Sequence, residues 1–191
     1  MNCRAGFVWQ TKQHFTRYIE DCGISCELIT PHMLAAPFYK GRFNCLIIPT
    51  GFANPAYSNL LPALRAAAPR IKKFVENGGN LLVFGAAAAK PDSYDWLPFR
   101  VTYSHDCHPR HIESVSDSEA MKILDDYDPL CIECDGSFPS HDGQQIGIAG
   151  SADVIIEKKV GCGKIIVTSI HEYPSRAFLK DLCSTGIESS F

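Results

Sequence analysis

The sequence predicts an α/β domain: a doubly wound, mostly parallel sheet with a β-rich insertion in its second half. Three observations carry that expectation. In the first half, β-rich apolar runs alternate with segments of helical periodicity. Those runs are apolar along their whole length, as strands buried on both faces of a parallel sheet must be. Beyond about residue 99, closely spaced strand-like runs are separated by Gly, Pro and Asp turns.

Taken in order, "CRAGFVW" at 3–9 reads as the first strand. Next, "TKQHFTRYIEDCG" reads as a helix with Thr11 as its N-cap and Gly23 just past its end. Phe15, Tyr18, Ile19 and Cys22 make its apolar stripe. A second strand at 24–30 is stopped by Pro31, and "PHMLAAPFYKGR" forms a loop or short helix. The third strand, "FNCLIIP" at 43–49, is almost wholly apolar. In the long connection that follows, Pro69 is expected to start a helix rather than interrupt one, with Ile71, Phe74 and Val75 buried and Asn77-Gly78 as the stop. "NLLVFG" supplies the fourth strand, and the alanines after it are expected to open a helix.

The second half reads as strands in "FRVTYSH", "PLCIECDGSF", "QQIGIAG", "ADVIIEKKV" and "GKIIVTSIHE", interrupted by a helical "DSEAMKILDDY". Gly161–Gly163 is the expected hairpin into the last strand. A closing helix, "SRAFLKDLCSTG", has Ser175 near its cap. All 191 residues suit a single domain, with about 99–160 as the β-rich elaboration.

Composition narrows the function. Hydrophobic residues make up 46% and charged ones 20%, enough apolar chain for a real core. Eighteen basic against twenty-one acidic residues leave a net charge of −3 with no basic stripe, which argues against nucleic acid and anionic membrane as partners. The N-terminal segment has no signal-peptide h-region, and no stretch reaches the roughly 20 apolar residues of a membrane span, so a cytoplasmic protein is expected. Nine cysteines, an odd number, argue against a closed disulfide framework. Cys3, Cys22, Cys26 and Cys45 fall in strands or on a helix face and read as small core residues in a reducing compartment.

The segment "CLIIPTGFANPAYSNLLPALRAAAPRIKKFVENGGNLLVFGAAA" resembles the class I glutamine amidotransferase-like superfamily, nearest to its biotin-protein-ligase N-terminal and trehalose-utilisation-like branches. The resemblance covers 43–90 and 160–180 and implies a flavodoxin-like fold. It also implies that "PTG" at 49–51 stands for the family's oxyanion turn, with Thr50 in place of a glycine. "IVTSIHEYPS" then stands for the strand that ends in the family's base and orienting carboxylate, here His171 and Glu172. Counted from Gly78-Gly79, the nucleophile cysteine of the family falls on Gly85, and an elbow glycine has become Ala87. A nucleophile elbow needs small neighbours, and "GAAAA" keeps them while losing the thiol. Gly85 is expected to take the positive φ of the elbow, and the amides of the following helix to favour an anion.

The expected ligand-binding set is therefore Gly51, Phe52, Gly85, Ala86 and His171. His171 and Glu172 read either as base and orienter or as a local cap on the last strand. A structural zinc site is the second constellation, with Cys107, His108, Cys131 and Cys134 as candidate ligands, and no other cofactor is expected. Its spacing departs from standard patterns, and the ends of Cys-x-x-Cys in a strand face opposite ways, so "SHDCHPRHIE" also reads as a polar loop at the rim of a site. In "CDGSFPSHDGQ", Asp135 and His141 either belong to Asp-Gly turns or line the cleft. Phe52, Tyr57, Tyr94 and Trp96 lie in loops expected at the ligand-binding edge of the sheet. The expectation for function is a pseudoenzyme that binds a small polar or anionic ligand or a protein partner, a second copy in a homodimer included. The alternative is a hydrolase of different chemistry using His171/Glu172, with or without a metal.

Overall fold

The computed structural model describes residues 3–191. Its central sheet contains β1 (Arg4–Val8), β2 (Ser25–Ile29), β4 (Cys45–Ile48), β5 (Asn80–Val83), β7 (Glu113–Ser114), β9 (Gln144–Ala149), β10 (Ala152–Val160) and β11 (Gly163–Thr168). Two smaller ribbons complete the strands: β3 (Arg42–Phe43) with β12 (Ser189–Ser190), and β6 (Ser104–Arg110) with β8 (Ile132–Ser137). The helices are α1 (His14–Asp21), α2 (Pro31–Ala35), α3 (Leu60–Glu76) and α4 (Arg176–Thr185).

The sheet order is β2-β1-β4-β5-β11-β10-β9-β7. The first five strands pair in parallel, and the last three add on antiparallel. Every residue of β4 and β5 is buried, which explains why those strands read as unbroken apolar runs. Most of the β-rich half therefore extends the same sheet, and only the β6–β8 ribbon stands apart. Arg70 of α3 donates to the carbonyls of Leu34, Ala36 and Tyr39, fixing α3 to α2 and the loop after it. On the other side, Tyr18 of α1 donates to the Pro174 carbonyl at 2.9 Å, and Arg176 of α4 lies over the Tyr18 ring.

Several local expectations hold at the level of the atoms that cause them. Gly23 and Gly78 sit at positive φ, 80° and 108°, just past α1 and α3. Gly161, at φ 59°, turns the β10–β11 hairpin, and the Ser175 hydroxyl accepts the Phe178 N–H at the head of α4. Others are corrected. The N-cap of α1 is Gln13, not Thr11: its N–H donates to the Thr16 hydroxyl at 3.1 Å. Pro69 lies inside α3, because the apolar stripe Leu60, Leu64, Ala67, Ile71, Phe74 runs on through it and packing overrides the missing N–H. The tolerated first-turn proline is Pro62. No helix follows the alanines. The chain from Gly85 to Lys90 is irregular, and Pro91 would interrupt any helix begun there. The histidine-rich "loop" is strand β6, displaced a few residues from the strand expected at "FRVTYSH".

Cys3 is not a free core thiol. It is bonded to Cys183 of α4, with Cα atoms 6.0 Å apart, a pairing across 180 residues that spacing could not show. Cys22 and Cys45 are buried and Cys26 partly so. Among the described residues, no helix is long and apolar enough to cross a membrane.

Candidate functional site

The strand order reverses direction at β1, so the C-terminal ends of β1 and β4 diverge and leave a crevice. A cleft of about 800 Å³ opens there. Trp9 follows β1, Pro49 and Thr50 follow β4, Phe84 and Ala87 follow β5, and His171 to Tyr173 follow β11. The β6–β8 ribbon walls the remaining side with His105, Cys107 and Asp135.

His171 and Asp135 form the chemical centre. The backbone of β8 joins the end of β11: the Asp135 N–H donates to the Ser169 carbonyl at 2.7 Å, and the His171 N–H to the Glu133 carbonyl at 2.8 Å. These bonds set the side chains so that His171 Nδ1 lies 3.0 Å from Asp135 Oδ1. The carboxylate side chain is 3% exposed and the imidazole 58%. A carboxylate can only accept here, so Nδ1 carries the proton, and in the neutral ring Nε2 is left as an acceptor towards the cleft. His105 repeats the pattern, with its Nδ1 2.8 Å from the Asp135 carbonyl.

Glu172 is therefore not the orienting group. Its Oε1 accepts the Glu133 N–H at 2.8 Å, and its Oε2 is buried without a partner. The orienter is Asp135, supplied by a strand far away in sequence. Asp-Gly was legible as turn chemistry, yet Asp135-Gly136 lies inside β8, and Gly136 is close-packed against the Ser104 carbonyl.

The elbow also differs from its expected form. Gly85 is not the residue at positive φ; Ala87 is, at 47°, and it is the non-glycine residue of the described chain in that region. Strain of this kind, about 1–3 kcal/mol, persists where neighbours hold the backbone. Gly51 N–H donates to the Gly85 carbonyl at 2.8 Å, and Asn54 Nδ2 donates to the Ala87 carbonyl at 2.9 Å. Tyr94 and Tyr103 are buried with their hydroxyls against the backbone. Those hydroxyls donate to the Phe84 and Asp135 carbonyls, at 2.9 and 2.8 Å. Gly85 has a different reason to be glycine. A Cβ there would lie 2.7 Å from Asp135 Cβ.

Of the expected ligand set, His171 lines the cleft. Gly51, Phe52, Gly85 and Ala86 are buried behind it, and Phe52 packs edge-on against Tyr94 and Trp96. Of the aromatics expected at this edge Tyr57 lines the cleft, while Phe52, Tyr94 and Trp96 are buried; Trp9, Phe15, Phe84 and Tyr173 complete the aromatic wall, with Phe15 and Tyr173 stacked at 4.6 Å. The anion-favouring feature falls away, because no helix begins at the elbow.

The four candidate zinc ligands are dispersed. Cys107 lines the cleft, His108 pairs with Asp106 at 3.1 Å, Cys131 is exposed before β8, and Cys134 is buried within it. Among the described residues no group of three His, Cys, Asp or Glu side chains is placed to hold a metal. Cys107 is the cysteine of the cleft, but desolvation and then the Asp135, Glu133 and Asp106 carboxylates push its thiol pKa up, against thiolate formation. His141 lies outside the cleft, its Nε2 2.9 Å from Asp153 Oδ2.

No protein-family model matches the sequence, and no curated protein matches it. Solved structures do. A protein of Thermoplasma acidophilum, provisionally assigned as part of a GMP synthase, aligns with TM-score 0.66 and 11% identity, over 97% of this chain and 94% of its own. A cytoplasmic protein of Salmonella typhimurium aligns at TM-score 0.59 and 13% identity, over 97% and 99%. The β-galactosidase of Bacillus circulans aligns at TM-score 0.57 and 12% identity over 96% of this chain, which spans 30% of that enzyme. At such identities the likeness is one of architecture: the chain has a flavodoxin-like α/β fold with a mostly parallel central sheet.

Proposed function

We propose that the cleft binds a small polar ligand and that the chain performs no glutamine hydrolysis. The observation that carries this reading is Ala87. It occupies the strained turn at the wall of the cleft that Asp135 and His171 also line, and carries a methyl group where the thiol mechanism needs a cysteine. Kinship with the biotin-protein-ligase N-terminal and trehalose-utilisation-like branches belongs to the same proposal and rests on residues 43–90 and 160–180.

One observation favours a second reading. The buried Asp135 carboxylate and the exposed His171 imidazole have the geometry of a general base, which could activate water against a bound ester or amide. On that reading the acting pair is His171/Asp135 rather than His171/Glu172.

Native mass spectrometry of protein purified without added ligand tests the first reading. A retained small molecule, lost in His171→Ala, is the expected outcome. Ammonia release from glutamine by the wild-type protein, abolished by the same substitution, would overturn it.

A further inference from the structure

Trp9, Gln13, Thr50, Tyr57 and Tyr173 give the cleft neutral polar groups, but its charged side chains are one-sided. Asp135 Oδ2 and Glu172 Oε2 are buried carboxylate oxygens without partners. His105 and His171 both commit Nδ1–H to protein acceptors, leaving Nε2 to accept in the neutral ring. Asn54 has both ends of its amide engaged, donating to Ala87 and accepting from Ala56. Among the described residues, no Lys or Arg lines the cleft. Lys12 and Arg17 line a separate depression beyond Tyr173, and Arg17 is paired with Asp21 at 3.0 Å.

Buried carboxylates without a counter-charge are costly unless a cation or several donors reach them. Around them stand the edges and faces of Trp9, Phe15, Tyr57, Phe84 and Tyr173, and aromatic rings attract organic cations. The raised thiol pKa of Cys107, pushed up by desolvation and then by three carboxylates, is consistent with a negative local field.

Resting on the ligand-cleft reading above, we infer that the ligand is an organic ammonium ion, its N–H groups donating to Glu172 and the rim acceptors and its hydrocarbon part lying on the aromatic wall. A neutral polyol would meet the acceptors but leave the carboxylate charge uncompensated. An anion would oppose it.

The test is an NMR titration of the full chain at low salt, following the indole N–H of Trp9 in the cleft. The probes are butylammonium, 1-butanol and butyrate, three ligands of one length and three charges, with glucose as the neutral polyol. Butylammonium is expected to bind about tenfold more tightly than 1-butanol, the margin of a charge-assisted hydrogen bond over a neutral one. Glu172→Gln should remove most of that margin. Equal affinity for butylammonium and 1-butanol, or preference for butyrate or glucose, would overturn the inference while leaving a ligand cleft in place. If none of the four probes moved the Trp9 resonance, the ammonium inference would fail, and an empty native mass spectrum would remove the cleft reading with it.

Discussion

Gly85 and Ala87 exchange the roles expected of them, and the exchange follows from what surrounds each. Counting from Gly78-Gly79 by the family resemblance puts the elbow at Gly85, and glycine is free to take its positive φ. Yet Ala87 takes it, its carbonyl held by the Asn54 amide. Gly85 is glycine because the Asp135 carboxylate lies on it. Gly85→Ala should therefore displace Asp135, costing about 1–3 kcal/mol of stability by overpacking. It should also release the tautomer of His171, read as mixed Nδ1/Nε2 protonation in imidazole ¹⁵N spectra. A variant with parental stability and a single tautomer would show that the carboxylate does not depend on space at residue 85. His171 was legible through the resemblance of "IVTSIHEYPS" to the family's terminal strand. Asp135 could be singled out only as one of several turn or cleft candidates, because its pairing with His171 depends on β8 meeting the end of β11 across 36 residues.

Among the elements, those with strong local signals were legible and those decided by packing were not. β4 and β5 stand out as unbroken apolar runs, and the stops at Gly23 and Gly78 are set by backbone chemistry alone. α3 begins nine residues before Pro69 because a proline's local cost of about 3 kcal/mol is outweighed by a stripe of buried side chains on both sides of it. Since Pro69 itself is exposed, Pro69→Ala removes that cost without opening the core. It should stabilise the protein by about 1–3 kcal/mol, seen as a higher urea midpoint at unchanged slope. A lower midpoint would mean that the helix is shaped around the proline. Strand β6 was hidden for a different reason. It carries seven residues that are almost all exposed and polar, and it is a strand because β8 pairs with it.

At the scale of the whole molecule, buried thiols make folding sensitive to base. Burial pushes the Cys26, Cys45 and Cys134 thiols from 9 up to about 12, and the Tyr18 hydroxyl from 10 to about 12. The folded state thus keeps protons that the unfolded chain releases. The corresponding stability is complete below about pH 9 and is lost as pH climbs from 9 towards 12. Urea midpoints should drop as pH is raised from about 8 to about 10.5, and a flat profile over that range would place these groups in contact with water.

The two ends of the described chain meet on one side. Cys3 is bonded to α4, Arg4 lies 3.9 Å from Glu188, and Phe191 exchanges backbone hydrogen bonds with Gly41 at 2.9 and 3.2 Å. That side is where β1 and β4 begin, whereas the cleft opens where they finish. A tether, a tag or a neighbouring domain joined at either end would leave from the rear of the molecule, so the protein can be anchored to a surface with its cleft facing outwards.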